Sequence, residues 1–241
     1  MPGEESNDCG YAGGRSATWA NYTRPPSTQH YSEFLSRDSI ILHMRRRTDF
    51  FVGIDEAGRG PLAGPVALGV VVMEPPLLRK FSGIRDSKQL TSSEREQWFE
   101  KLLDEKKVGN LNFKVAFVGN RIIDERGISY AVRLGIKRAL FRLDIQPAHC
   151  HIFLDGLLKA PQSYPYQQTI IGGDEKIRII SLASVVAKVL RDRKMKRLSL
   201  AYKKYGFETH KGYGTEFHRQ KLKKFGISPI HRQSFLSKIL A

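Results

Sequence analysis

The sequence predicts an α/β fold: a mixed central sheet flanked by helices, with a helical and strongly basic C-terminal part. Three observations carry that expectation. Residues 51–72 read FVGIDEAGRGPLAGPVALGVVV, two apolar runs joined by a glycine-rich turn, which is the pattern of a strand pair. Later segments alternate between period-two and helical spacing, and one β–helix–β crossover is long enough for parallel pairing. The charge is lopsided: of a net +16, residues 188–241 hold fifteen Lys and Arg against Asp192, Glu208 and Glu216, a local surplus of +12.

Taken in order, residues 1–48 are rich in Ser, Gly, Pro and Asn without a sustained period, and read as a flexible N-terminal extension to one domain over 49–241. The strands Phe51–Ile54 and Val66–Met73 should form an antiparallel hairpin. A loop follows over Leu77–Leu90, containing Arg85-Asp86-Ser87-Lys88. Thr91-Ser92-Ser93-Glu94 offers a capping box, and Trp98, Phe99, Leu102 and Leu103 then keep helical spacing. Leu111–Val118 sets Leu111, Phe113, Val115 and Phe117 against Asn112, Lys114 and Ala116, a strand. Ile122–Leu143 reads as one helix, which Pro147 should break. His151–Leu154 and Tyr166–Ile171 are further strands, ending in Asp155-Gly156 and Gly172-Gly173-Asp174. Lys176–Tyr205 reads as a long helix with Ser184, Lys188 and Asp192 along its polar side, and a last helix runs from Thr215 to about Phe225.

The chain is long enough to bury a full core, and its hydrophobic content of 41% is ordinary for a globular protein. No apolar run approaches the roughly 20 residues needed to span a bilayer. The first residues lack the order of a signal peptide, so the expected address is cytoplasmic. Cys9 and Cys150 alone make neither a disulfide framework nor a zinc ribbon. The basic surplus favours a polyanion partner and, being interleaved with Tyr, His and Gly, disfavours a membrane surface.

Acids end three separate strands: Asp55 with Glu56, Asp155, and Asp174. Strand ends in an open α/β sheet converge on one crevice, so these residues can meet. Hard oxygen ligands without a cysteine or histidine cluster select Mg²⁺ or Mn²⁺, and two such ions suit in-line attack on a phosphodiester. Each acid also has a plainer reading. Asp155 and Asp174 could be turn or cap residues, and Asp55 with Glu56 a solvated hairpin. Glu175 and Asp192 rival Asp174 as the fourth ligand, and Asp192 is explained equally by pairing with Lys188 at i, i+4. Spacing does not choose among them. His210, His218 and His231 could each serve a phosphate or a structural hydrogen bond, and are left out of the catalytic set.

The run Asp55-Glu56-Ala57-Gly58-Arg59-Gly60-Pro61-Leu62-Ala63-Gly64-Pro65-Val66 resembles the signature of ribonuclease HII, the type 2 ribonuclease H family. So do Asp86-Ser87-Lys88, Leu154-Asp155-Gly156, Gly173-Asp174, the stretch Ile180–Asp192, His210-Lys211-Gly212-Tyr213-Gly214-Thr215, and His231-Arg232-Gln233-Ser234-Phe235, all in the family's order. The likeness covers about residues 50–236. It implies an RNase H-like fold and hydrolysis of the RNA strand of RNA–DNA hybrids, including cleavage 5′ of single ribonucleotides embedded in duplex DNA. It further implies a monomer that leaves 5′-phosphomonoesters, with two Mn²⁺ or Mg²⁺ ions per site, and a place in RNA degradation, DNA replication and ribonucleotide excision repair. Among the rival acids it implies Asp55, Glu56, Asp155 and Asp174 as the catalytic, metal-binding set, with Arg191-Asp192 in support. Gly58, Arg59 and Gly60 match the loop that reads the ribose 2′-hydroxyl, Tyr213 the ring that packs on the next deoxyribose, and Lys88 and Lys188 basic positions near the phosphates. Two positions depart from the pattern: Gly172 where the family often has Lys, and Leu182 where it commonly has Ala. Other metal nucleases or integrases of the same fold would lack the Gly-Arg-Gly and Lys-Gly-Tyr-Gly pair. A catalytically silent binding module would have lost some of the four acids.

Overall fold

A computed structural model describes residues 49–84 and 89–236 of the 241-residue chain. Five strands form one mixed sheet: β1 (Phe50–Ala57), β2 (Val66–Met73), β3 (Leu111–Val118), β4 (Cys150–Asp155) and β5 (Gln167–Ile170), in spatial order β3-β2-β1-β4-β5. The hairpin β1–β2 and the pair β2–β3 are antiparallel, while β1–β4 and β4–β5 are parallel. The expected α/β class and mixed sheet are therefore present.

Both faces of the sheet are covered, which sets the side on which each strand residue is useful. Val52, Ile54, Leu68, Val70 and Ile152 pack toward α3 (Ile128–Phe141). Val71, Met73 and Phe153 pack toward α1 (Ser92–Lys107) and α5 (Arg178–Ala201). Helix α5 lies on the sheet at backbone contact. A side chain at Gly53 would run into the Ile179 carbonyl, and one at Gly69 into that of Ala183. Strand alternation places Asp55 on the α5 side with Gly53, and Asp155 on that side with Phe153. A third apolar cluster joins Leu62, Ala63, Met195, Tyr205, Phe207 and Leu222, and ties the C-terminal part to the β1–β2 connection.

Several expected boundaries hold for the expected reason. Thr91 caps α1 with the full reciprocal box: its hydroxyl accepts from Glu94 N at 3.2 Å, and Glu94 accepts from Thr91 N at 2.7 Å. Others are corrected. The helix expected over Ile122–Leu143 is two, α2 (Asn120–Arg126) and α3, because Gly127 takes φ +81° between them. It ends at Phe141, ahead of Pro147. The long helix begins with a separate turn, α4 (Gly173–Lys176), since Ile177 is extended, and α5 stops at Ala201 with a 3-10 turn over Lys203–Tyr205. The first part of the expected loop is a 3-10 turn, Pro75–Phe81, which buries Phe81. In β3 the alternation is incomplete: Ala116 and Val118 are buried under α3, so both sides of that strand are covered. The last elements are α6 (Phe207–His210), α7 (Glu216–Phe225) and α8 (Gln233–Leu236). No helix among the described residues is long and apolar enough to cross a membrane.

Candidate active site

The parallel register pairs Ile54 with Leu154, so Asp55 and Asp155 follow side by side at the ends of two neighbouring strands. Asp55 is almost wholly buried, and Glu56 is half-buried beside it. Burial pushes the Asp55 carboxyl well above its ordinary range. The charges of Glu56 and Asp155 push the same way, and the Ser184 hydroxyl on α5 partly opposes them. Burial likewise raises Glu56, Arg59 opposing and Asp155 adding to the shift. Three carboxylates from two strands thus share one electrostatic neighbourhood. Asp174, expected at the end of a strand, instead lies in α4, since β5 stops at Ile170. The Gly173 N–H donates to Asp155 Oδ1 at 2.7 Å, and Asp174, the next residue, is buried. Its main-chain carbonyl accepts from Ser181 Oγ at 2.6 Å, which fixes α4 against the start of α5.

Among the described residues, no group of three or more His, Cys, Asp or Glu is arranged as it stands to hold a metal ion. The acid oxygens are turned onto protein donors instead. Asp55 Oδ1 accepts from Glu56 N at 2.7 Å, Asp155 Oδ1 takes the Gly173 amide, and Glu56 Oε1 meets Arg59 Nη1 at 3.3 Å. Glu56 Oε2 is buried with no hydrogen-bond partner. The rival acids stand elsewhere: Glu175 is exposed, and Asp192 pairs with Lys188 at 2.8 Å.

The loop after β1 is shaped from beneath by two fully buried arginines. Arg232 donates through Nη2 to the Gly58 carbonyl (2.7 Å), through Nη1 to that of Arg59 (2.8 Å), and through Nε to that of Gly64 (3.0 Å). Arg191 donates to the carbonyls of Pro65 (3.0 Å) and Lys211 (3.1 Å), and fills the space a side chain at Gly58 would need. Bonds of this charge-assisted kind contribute roughly 1.5–3 kcal/mol each. Burial, and then the neighbouring Arg191, pull the Arg232 pKa down to about 9. In a planar trans peptide, N–H and C=O point opposite ways. With the carbonyls of Gly58 and Arg59 fixed on Arg232, the N–H groups of Arg59 and Gly60 face away from the buried guanidinium, and both residues are exposed.

Tyr213 stands across from this loop, 41% exposed, with Arg191 5.6 Å and Lys188 5.8 Å from its ring centre. Its main chain is held by histidines. Tyr213 N donates to the His210 carbonyl at 2.9 Å, and the Tyr213 carbonyl accepts from His218 Nδ1 at 2.9 Å. His218 Nε2 lies 3.0 Å from His231 Nε2, and His231 Nδ1 accepts from Ser228 N at 2.8 Å. The outer bonds fix the tautomers. His231 holds its proton on Nε2 and gives it to His218 Nε2, while His218 gives its Nδ1 proton to Tyr213. Burial lowers both pKa values to about 4, matching two neutral rings. His210 stacks on His218 at 4.2 Å and donates from Nε2 to the Tyr205 carbonyl.

Of the residues singled out in the sequence, the structure therefore gathers Asp55, Glu56 and Asp155, links the residue before Asp174 to Asp155 through the Gly173 amide, and places Gly58, Arg59, Gly60, Lys188 and Tyr213 about the adjoining loop and α5. Lys88 lies outside the described residues. The resemblance gave Arg191 a supporting place without saying what it supports, and sequence reasoning missed Arg232 altogether as a support of the glycine loop. Both occur inside quoted motifs, yet nothing in a single sequence tells a buried arginine from a solvated one. At Gly172, where the resemblance leads one to expect lysine, Lys176 Nζ comes within 3.9 Å of the place a Cβ would take and donates to the Ile171 carbonyl at 2.7 Å.

Known proteins resemble this chain in sequence and in fold. The family model described as Ribonuclease HII matches residues 52–238. A Ribonuclease HII of Caldicellulosiruptor bescii is 45% identical over 192 residues, which cover 80% of this chain and 89% of that protein. Among solved structures, the ribonuclease H2 of Pyrococcus horikoshii superposes with a TM-score of 0.60 at 28% identity, over 79% of this chain and 96% of the other. A structure of the PCNA:RNase HII complex from Archaeoglobus fulgidus gives 0.61 at 26% identity, over 76% and 94%.

Proposed function

The chain belongs to the ribonuclease HII family, endonucleases that cut RNA in RNA–DNA hybrids, and from that premise we propose a two-ion hydrolase that also cuts 5′ of single ribonucleotides in duplex DNA. The observation that carries this reading is the pairing of Asp55 and Glu56 with Asp155 on adjacent parallel strands, next to the loop at Gly58–Gly60. Divalent cations fit the donor set. All four acids offer hard oxygens, Glu56 Oε2 is buried without a partner, and the like charges that raise Asp55 and Glu56 are relieved by a cation. Asp55, Glu56, Asp155 and Asp174 would hold the ions. Mg²⁺ or Mn²⁺ bound there supplies activation of the attacking water and stabilisation of the leaving 3′-oxygen.

The remaining residues bind and orient. The outward N–H groups of Arg59 and Gly60 suit the ribose 2′-hydroxyl, the one group that separates RNA from DNA. The exposed ring of Tyr213 suits the following deoxyribose. Lys188, on the same helix as Ser184, and Lys88 suit the flanking phosphates. Water attacks phosphorus in line, the bond to the 3′-oxygen of the preceding nucleotide breaks, that oxygen takes up a proton to become a 3′-hydroxyl, and the ribonucleotide keeps the 5′-phosphate.

The test is an end-labelled duplex with one embedded ribonucleotide, incubated with Mg²⁺, with Mn²⁺, and with chelator. The expected product is a single metal-dependent cut 5′ of the ribonucleotide. Cleavage of long hybrids alone removes the junction part of the reading, and metal-independent cleavage removes the ion part.

A further inference from the structure

The motif at residues 231–235 has no part in the chemistry above, yet it is tied into both halves of the sugar-contacting surface. Its main chain first docks on the β1–β2 connection. Gly64 N donates to the Ile230 carbonyl at 2.8 Å, Arg232 N to that of Leu62 at 2.8 Å, and Ala63 bridges to His231. Two adjacent side chains then diverge. Arg232 takes the carbonyls of Gly58, Arg59 and Gly64, whereas His231 bonds to His218, which in turn holds the Tyr213 carbonyl.

The arm is itself anchored from α2. Asp124 accepts from Gln233 N (3.1 Å), Ser234 N (3.0 Å) and Ser234 Oγ (2.5 Å), and Asn120 Nδ2 donates to the carbonyls of Pro229 (2.9 Å) and His231 (3.0 Å). The aliphatic and ring groups add packing, with the Arg232 guanidinium 5.2 Å from the centre of Phe235.

We infer that the arm over residues 228–236 is the positioning element that sets the loop at Gly58–Gly60 and Tyr213 relative to each other, Arg232 and His231 being its two working contacts. The inference rests on the junction-reading function proposed above. None of these residues touches the carboxylates among the contacts described, so the arm acts on which sugar is accepted and not on the hydrolytic centre. Its geometry favours a guanidinium, because three carbonyls are met by three separate nitrogens in one plane. An ammonium meets fewer of them.

The experiment compares kcat/KM on a duplex with one embedded ribonucleotide and on a continuous RNA–DNA hybrid, for the wild-type chain, Arg232→Gln, Arg232→Lys and Asp124→Ala. Circular dichroism and thermal melting report the fold. Misplacement of binding groups by an ångström costs up to about 100-fold. On that scale Arg232→Gln should lose about 10- to 100-fold more on the single ribonucleotide than on the continuous hybrid, and Arg232→Lys should recover part of the difference. Asp124→Ala, which leaves both working contacts in place but frees the arm, should shift the ratio the same way by roughly threefold, and it decides the matter if Arg232→Gln does not fold. Folded variants that lose equally on both substrates, or lose nothing, overturn the inference. A wild-type chain that fails on the single ribonucleotide overturns the functional reading first, so the two failures are distinct.

Discussion

Two regions of this molecule bury ionisable groups, and they do so in opposite ways. At the ends of β1 and β4, Asp55, Glu56 and Asp155 crowd charges of one sign, and one oxygen, Glu56 Oε2, has no partner. In the C-terminal part, His218, His231 and Arg232 are just as deeply buried, but each polar atom that the hydrogen-bond chain uses has a defined donor or acceptor. The first arrangement is unfavourable until something positive arrives; in the second the histidines and Arg232 already have their partners, and the conflict left is the repulsion between Arg191 and Arg232 and the unpartnered Arg191 Nη1. Buried carboxylates short of partners suit a bound cation, whereas buried groups spent mainly on main-chain carbonyls and amides suit positioning.

The sharpest way to break this contrast is Asp55→Asn. Cleavage should fall by about 1,000-fold, the scale expected for loss of one group that stabilises a developing charge, while hybrid binding survives. The same change relieves repulsion, so in the absence of divalent ions the melting temperature should rise. A variant that loses activity and stability together would place Asp55 with the positioning groups. Next in size is Tyr213→Ala. A stacked ring contributes about 1–3 kcal/mol, so cleavage at a lone ribonucleotide should drop roughly tenfold or more, with a smaller loss of overall hybrid affinity in a gel-shift assay. Equal losses would remove the distinction between reading a sugar and merely holding the duplex.

How much of this was legible in the sequence differs between the two regions for the same reason. The acids stand at the ends of strands with clear apolar patterns, so β1, β2 and β4 could be placed and their ends brought to one crevice. The capping box at Thr91 and Glu94 was equally plain because it is local. What stayed hidden depends on burial or on single backbone angles. Gly127 divides an apolar stretch whose helical period continues across it, and Ile177 breaks the next helix without a Gly or Pro to signal it. Arg191 and Arg232 look like any others among the basic residues of the C-terminal third until the fold shows them fully buried on carbonyls up to 174 residues away. The histidine relay, from Ser228 through His231 and His218 to Tyr213, likewise has no sequence period at all.

Acid titration should separate the regions by sign. His218 and His231 are held near pKa 4, below the ordinary value of about 6.5, so their contribution to stability is complete above about pH 6.5 and is lost as the pH falls toward 4. Asp55 and Glu56 are raised, so protonating them on the way down favours the folded state and offsets part of that loss. Denaturation midpoints measured from pH 8 to 4 without divalent ions should therefore decline, and decline more steeply in Asp55→Asn. Parallel profiles for the two proteins would contradict the opposition of signs. The smallest effect concerns a third kind of buried group. His151 on β4 is buried against Phe153 with neither ring nitrogen bonded, and burial pulls its pKa down to about 4. It belongs to neither region, and His151→Phe should raise stability by about 1 kcal/mol without altering cleavage. A loss of activity would assign it a role that its surroundings do not suggest.

The carboxylate cluster can be tested most directly by calorimetric titration of the wild-type chain and Asp155→Asn with Mn²⁺. The wild-type protein should bind the ion with heat that vanishes or weakens at least about tenfold in the variant, and should gain melting temperature in step with occupancy. A wild-type chain that takes up no Mn²⁺, or a variant that binds it as tightly, would contradict the assignment of these strand ends as the catalytic centre.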